Sequence, residues 1–345
     1  MRKFLHLFIF IAAVLTVFAC TSVESGTAAG RASDRIVIYT SMYENVITAV
    51  EAILGREFPG LNIEFVYGGT GFIQSRIINE HAAGRLGCDI LMVGEPAYSL
   101  ELKELNLLHS FASSEASNLN YDHDPDGFWY PVRVSAMVMA FNPARYSRDS
   151  IPQSFNNFAQ DQSVRGAISM SNPLTSGTTM AAVTALRDRY GYEYFDALGR
   201  QNVTIESGAV ALTKLETGEH RVIMILEESV LQKRQQEGSR LEVIYPADGN
   251  IIIPSTIMIV AEEWSANRNI AAAEAIANWF LGQDGQNAIV DGWMHTVRRD
   301  LNRVPFDSIG TEKLRSNSMN VNWDHYFRQR DEIRERFENY ITNRR

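Results

Sequence analysis

The sequence predicts an α/β protein built from two halves of similar design. Three observations carry this reading. Short apolar, β-branched runs alternate with helical patterns from Ile36 onward, the mark of a parallel sheet flanked by helices. The same alternation returns after Ala167. Two further apolar stretches, residues 128–142 and 251–260, read as strands that carry the chain from one half to the other and back.

The elements follow in order. IVIYT (residues 36–40) is a buried strand, and SMYEN leads into a helical pattern over 46–58 that Pro59-Gly60 closes. IEFVY (63–67) is the second strand, and GGTG (68–71) opens a helix over 72–85. A third strand spans 88–93 and a third helix 96–104. In the second half, AISM (167–170) and VIMIL (222–226) are strands, with helices over 180–190 and from 227 to 237. A helix follows over 271–281, and a charged amphipathic helix over 323–342. Ligands of such sheets bind beyond the carboxyl ends of the strands. The junctions 41–45 and 68–71 lie there and are rich in Ser, Thr, Gly and Tyr.

The first residues read as a targeting segment. Arg2 and Lys3 precede an apolar run over 4–19, too short for a membrane span and suited to a signal peptide. Val17-Phe18-Ala19-Cys20 resembles a bacterial lipobox, which implies cleavage before Cys20 and a lipid on its sulfur. A soluble secreted protein or a retained anchor is the alternative. TSVESGTAAGRAS (21–33) is small and polar, as a tether is. Cys88 is then the one remaining cysteine, so no internal disulfide is expected, and it reads as structural. A net charge of −9 argues against a nucleic-acid partner but not against a small anion, which a few local donors can hold.

Over residues 36 to about 305 the chain resembles the periplasmic solute-binding proteins of ATP-driven (ABC) importers, in the class related to ferric-ion-binding proteins. The resemblance rests on VIYTSMYENV, the GGTG turn, CDILMVGEPAYSLELKELNLL, NPLTSGTTMAAVTAL, VIMIL with polar residues after it, YPADGNIIIPSTIMIV and ANWFLGQDGQNAIVDGWMHTVRRD. It implies the type 2 periplasmic-binding-protein fold, with two lobes, a hinge and a cleft between them. The implied organisation is a lipoprotein signal peptide at 1–19, a lipidated Cys20 with tether to 34, and a solute-binding domain over 35–345. Lobe 1 takes about 35–135 and 255–310, and lobe 2 about 136–254; the helix at 323–342 is left to either lobe or a partner. The implied partners are a small solute, the transmembrane subunits of an ABC permease, and a membrane met through the lipid. No cofactor, catalytic residue or metal is expected, and a monomer is.

Ferric members of the class carry paired tyrosines just after the strand matching VIMIL. Here Glu227-Glu228-Ser229 stands in that place, which counts against iron. Other members bind hexose phosphates, aminoethylphosphonate or thiamine. Three donor-rich loops each precede a helix: Ser41 with Tyr43, Gly69-Thr70-Gly71, and Ser176-Gly177-Thr178. Helix N-termini with Ser/Thr hydroxyls suit a phosphate or phosphonate, although Ser176 also reads as a plain N-cap. Glu206, Ser207, Glu227 and Glu228 would accept hydrogen bonds from sugar hydroxyls or an ammonium at the other end. Acidic residues opening a helix read equally as caps. The expected ligand is therefore a sugar phosphate or an aminophosphonate, with ferric ion or thiamine as the alternative and a ligand-presenting sensor subunit as a further one.

Two other features weigh little. Asp122-His123-Asp124-Pro125-Asp126-Gly127 matches half of a calcium loop, but Arg133 stands where the bidentate Glu is required. No G-x-S-x-G, H-E-x-x-H or Walker A pattern is present, and the histidines are scattered, so an enzyme is not expected.

Overall fold

The computed structural model describes residues 33–341; the expected signal peptide, Cys20 and the tether before Ser33 lie outside them. Among the described residues no helix is long and apolar enough to cross a membrane. The first half runs β1 (Arg35–Thr40), α1 (Glu44–Glu57), β2 (Asn62–Tyr67), α2 (Thr70–Ala82), β3 (Ile90–Val93), α3 (Pro96–Glu104) and β4 (Leu108–His109). A long strand, β5 (Tyr130–Phe141), leads to α4 (Phe155–Gln160), β6 (Ile168–Met170), α5 (Gly177–Tyr190) and α6 (Glu193–Arg200). Then come β7 (Thr204–Ile205), α7 (Gly208–Thr217), β8 (Val222–Leu226), α8 (Glu227–Glu237) and β9 (Glu242–Ile244). The chain closes with β10 (Ile251–Val260), α9 (Ile270–Leu281), α10 (Gln283–Asp291), α11 (Thr311–Ser316) and α12 (Trp323–Ile341). The expected strands and helices are present. The helices α4, α6, α7, α10 and α11 are additional to the expected elements.

The sheet is a single hydrogen-bonded surface in the order β2-β1-β3-β10-β5-β8-β6-β7, with β4 on β10 and β9 on β5. At one end β1 pairs in parallel with β2 and β3, and at the other β6 pairs in parallel with β7 and β8. Each end is the predicted βαβ arrangement. The two ends are joined by β5 and β10, which run antiparallel to each other and to their neighbours. Residues 128–142 and 251–260, read as several strands, each contain one continuous strand. β10 slips its register against β5 at Ser255/Thr256, where β3 begins to pair with its other edge. Val134 exchanges both backbone hydrogen bonds with His295, at 2.9 Å each. Pro254, which faces Val134 across the ladder, is therefore not asked for the N–H it lacks.

Local rules place the helix ends. Ser154, Ser176, Ser207 and Asn269 each cap the helix that follows them with a side-chain oxygen. α7 and α8 stop at Gly218 and Gly238, both in the left-handed conformation a glycine adopts at no steric cost. Apolar layers cover both faces of the sheet, with β5 and β10 buried along nearly their whole length.

α12 crosses from one end of the molecule to the other. Tyr326 donates to Glu95 at the start of α3 (2.6 Å), Arg330 reaches Glu101 (2.5 Å), and Arg334 donates to Gln74 of α2 (3.2 Å). Toward the second half, Arg187 of α5 donates to Gln329 (2.5 Å), and the Phe337 ring meets Phe195 of α6 edge-on.

Candidate functional site

A cleft of about 900 Å³ lies at the carboxyl ends of β1, β2, β6 and β8, over β5. The loop–helix junctions of both halves open into it. From the first half come Ser41, Tyr43, Gly69 and Thr70; from the second come Ser176, Gly177, Thr178, Glu206, Ser207 and Glu228. Gly71 and Glu227 are not brought to it. These are two corrections to the sequence reading, each with a physical cause.

Gly71 is used for contact between the halves. Its N–H donates to Thr175 O (3.2 Å), and a Cβ on it would fall 2.4 Å from Leu174 O. The start of α2 therefore packs against the loop before α5, which leaves Gly71 no donor to offer. Glu227 is fully buried and its carboxylate is already surrounded. It accepts from Tyr245 (2.5 Å) and Ser308 (2.8 Å) and bonds His295 Nε2 (2.6 Å). This network ties the start of α8 to the segment after α10.

The cleft residues have different amounts of free capacity. Ser176 Oγ accepts from Thr179 N (3.2 Å), so it is a helix cap as well as a cleft residue. Ser207 caps α7 through Val210 N in the same way. The Tyr43 hydroxyl shares a 2.7 Å hydrogen bond with Ser229, the residue after Glu228. Glu206 is held by Ser169 (2.8 Å), His220 (2.6 Å) and Lys214 (3.0 Å). Burial works against its ionisation, but Lys214, Ser169 and His220 together hold its pKa below the usual carboxylate range. Glu206 is thus an ionised acceptor with three partners before any ligand arrives.

The floor holds a residue that sequence reasoning met only as a misfit in a calcium loop. Arg133, on β5, is 3% exposed and lines the cleft. Its guanidinium donates to Met294 Sδ (2.9 Å) and Ser41 Oγ (3.1 Å), and its Nε has no partner. Burial lowers its pKa, with Glu228 and Tyr43 acting the other way. Two residues along β5, Ser135 donates to Glu228 Oε1 at 2.7 Å. Alternate residues of a strand share a face, so guanidinium and carboxyl stand side by side. The end expected to be purely accepting therefore also carries a cation. Ser255, opposite Arg133 in the ladder, has a buried hydroxyl without a partner. An Arg inside an apolar strand gives no periodicity signal of its own; the one available clue was its place in a strand crossing between the halves.

The remaining candidates resolve simply. Asp124 accepts from the N–H groups of Asp126 and Phe128, and the Lys103 ammonium bonds Asp124 (2.7 Å) and Asp126 (3.0 Å). The half-match to a calcium loop is a turn neutralised by a lysine. Cys88 is buried and unpaired. Trp129, Tyr245 and Trp293 do not line the cleft.

The model of the bacterial extracellular solute-binding proteins matches residues 88–317 of this chain, two thirds of its length. The chain belongs to that family. No curated protein matches the sequence. This solute-binding protein is similar in fold to iron-bound HitA from Pseudomonas aeruginosa, with a TM-score of 0.76 and 17% identity over 89% of this chain and 99% of HitA. It is equally similar to AfuA from Actinobacillus pleuropneumoniae with fructose 6-phosphate bound, with a TM-score of 0.76 and 19% identity over 89% and 98% of the two chains. The substrate-binding protein of an ABC transporter from Agrobacterium tumefaciens gives a TM-score of 0.77 at 14% identity, over 92% and 96%. These likenesses establish the two-lobed α/β fold.

Proposed function

We propose that this solute-binding protein captures a small phosphorylated solute, a sugar phosphate or an aminophosphonate, outside the cytoplasmic membrane and delivers it to an ABC-type permease. The observation that carries the reading is Arg133. A buried guanidinium facing a cleft with no carboxylate on it is a costly arrangement unless an anion completes it. Arg is suited to phosphate because its planar fork can donate two parallel hydrogen bonds. Hydroxyls of Ser41, Thr70 and Thr178 and the helix starts at Thr70 and Gly177 share the cleft and add donors. Glu206 and Glu228 supply acceptors for hydroxyls or an amine elsewhere on the solute. Of the two relatives named above with defined ligands, one is iron-bound and the other holds fructose 6-phosphate. The guanidinium, which no carboxylate pairs among the described residues, favours the second, because a cation would be repelled by it. A lipid on Cys20 and a polar tether would keep the protein beside its permease.

Native mass spectrometry of the protein purified without denaturation tests this directly. A bound mass matching a phosphorylated sugar or aminophosphonate is the expected result. Bound iron, or no response of the melting temperature to fructose 6-phosphate, 2-aminoethylphosphonate or inorganic phosphate, would overturn it.

A further inference from the structure

Arg133 and Glu228 are both buried, both face the cleft, and do not pair. Arg133 is answered only by a thioether and a hydroxyl, and Glu228 is held by the Ser135 hydroxyl. Opposite charges buried on the floor of one cleft would ordinarily close into an ion pair. Here each keeps its side toward the cleft. The charged and titratable groups around Glu228 are Arg133 on β5, Tyr43 at the start of α1, and its own neighbour Glu227 on α8. The Ser135 hydroxyl and the Glu228 N–H favour the carboxylate by hydrogen bonding, and Arg133 is the one charged group that does so.

An anion bound at Arg133 changes that balance. It neutralises the one positive field that supports an ionised Glu228, and it adds a negative charge beside the same carboxyl. Both effects drive Glu228 toward its neutral acid. In that form the carboxyl is also a donor, able to bond the anion. We propose that anion capture at Arg133 is coupled to uptake of one proton at Glu228, so that the cleft holds its solute most tightly when Glu228 is a neutral acid. This rests on the reading of the cleft as an anion site. The proton comes from solvent and returns to it on release, and no bond other than O–H is made or broken. Burial already pushes Glu228 up to about 7, so the exchange falls in the neutral range.

The test is calorimetry with fructose 6-phosphate in two buffers of different ionisation enthalpy, on the wild type and Glu228→Gln, from about pH 6 to about pH 8. The sugar phosphate's own protons enter both titrations equally, so the difference between the proteins belongs to Glu228. The expected difference is uptake of about half a proton at pH 7, rising toward one at pH 8, with wild-type Kd increasing up to about tenfold per pH unit and the variant's slope shallower by that amount. Ser135→Ala removes the donor that holds the carboxylate and should move the wild-type crossover to higher pH. It also keeps the test open if Glu228→Gln fails to fold. Equal proton counts in the two proteins, or proton release attributable to Glu228, would overturn the coupling while leaving the anion site standing. Failure of the wild type to bind fructose 6-phosphate, inorganic phosphate and 2-aminoethylphosphonate at pH 6 would overturn the site itself, and the coupling with it.

Discussion

Gly177 lies directly against Thr70: a Cβ placed on Gly177 would fall 2.7 Å from the Thr70 Oγ1 and 2.8 Å from its Cβ. The starts of α2 and α5, one from each half of the sheet, touch at this point. The reason for glycine is space rather than conformation, because Gly177 begins an ordinary helix. Gly177→Val should hold the two helix starts apart. Affinity for fructose 6-phosphate is expected to fall at least about tenfold, with the radius of gyration by X-ray scattering staying larger in the presence of the ligand. An unchanged affinity would mean that this contact is not needed for the bound state.

Arg133→Met should separate stability from binding. The apolar side chain removes a buried cation that has no carboxylate partner, so the melting temperature of ligand-free protein should rise by about 2–4 °C. Binding of fructose 6-phosphate should fall by about 100-fold, the scale of charge-assisted hydrogen bonds lost together. A fall in both quantities would show that the guanidinium holds the fold rather than the solute.

Glu228 makes stability depend on pH. Its folded pKa, about 7, lies above the ordinary glutamate value of 4.5 because burial disfavours the carboxylate. The folded state therefore binds more protons than the unfolded state between these values. The contribution is fully present below pH 4.5 and is lost as pH rises through about 7, on the order of 3 kcal/mol. Chemical denaturation at pH 5 and pH 8 should show this fall in the wild type and a reduced one in Glu228→Gln.

Glu227 should behave as a structural residue despite its neighbour. Glu227→Ala leaves Tyr245, His295 and Ser308 without their shared acceptor. The expected loss is about 3 kcal/mol of stability, with a change in solute affinity smaller than that of Arg133→Met. Urea melts set beside calorimetry decide between the two roles.

The fold was readable because strands and helices announce themselves by periodicity. VIYT, FVY, ILMV and VIMIL are strands where the apolar runs placed them. The loops after VIYT, FVY and VIMIL face one cleft: within each half the parallel strands point their carboxyl ends the same way, and the two halves, of opposite sense across β10 and β5, point them toward each other. What could not be read is which side of a helix start a side chain takes. Glu227 and Glu228 are adjacent, both acidic and both in the first turn of α8, yet one enters a buried network and the other the cleft. Helical rotation of about 100° per residue separates them. Arg133 was equally hidden, since its meaning depends on Ser41, Met294 and Ser255, which lie far from it in sequence.

The two long strands β5 and β10 have a consequence for how the molecule comes apart. β10 pairs with β3 of one end, β5 pairs with β8 of the other, and the two are hydrogen-bonded to one another through the middle. Neither end can melt without stripping a ladder from the other, and α12 adds ties of its own across the same divide. Two halves that look separable should therefore denature as one cooperative unit, with a single heat-absorption peak whose calorimetric and van't Hoff enthalpies agree. A fragment carrying one half alone would expose a raw strand edge and should aggregate rather than fold.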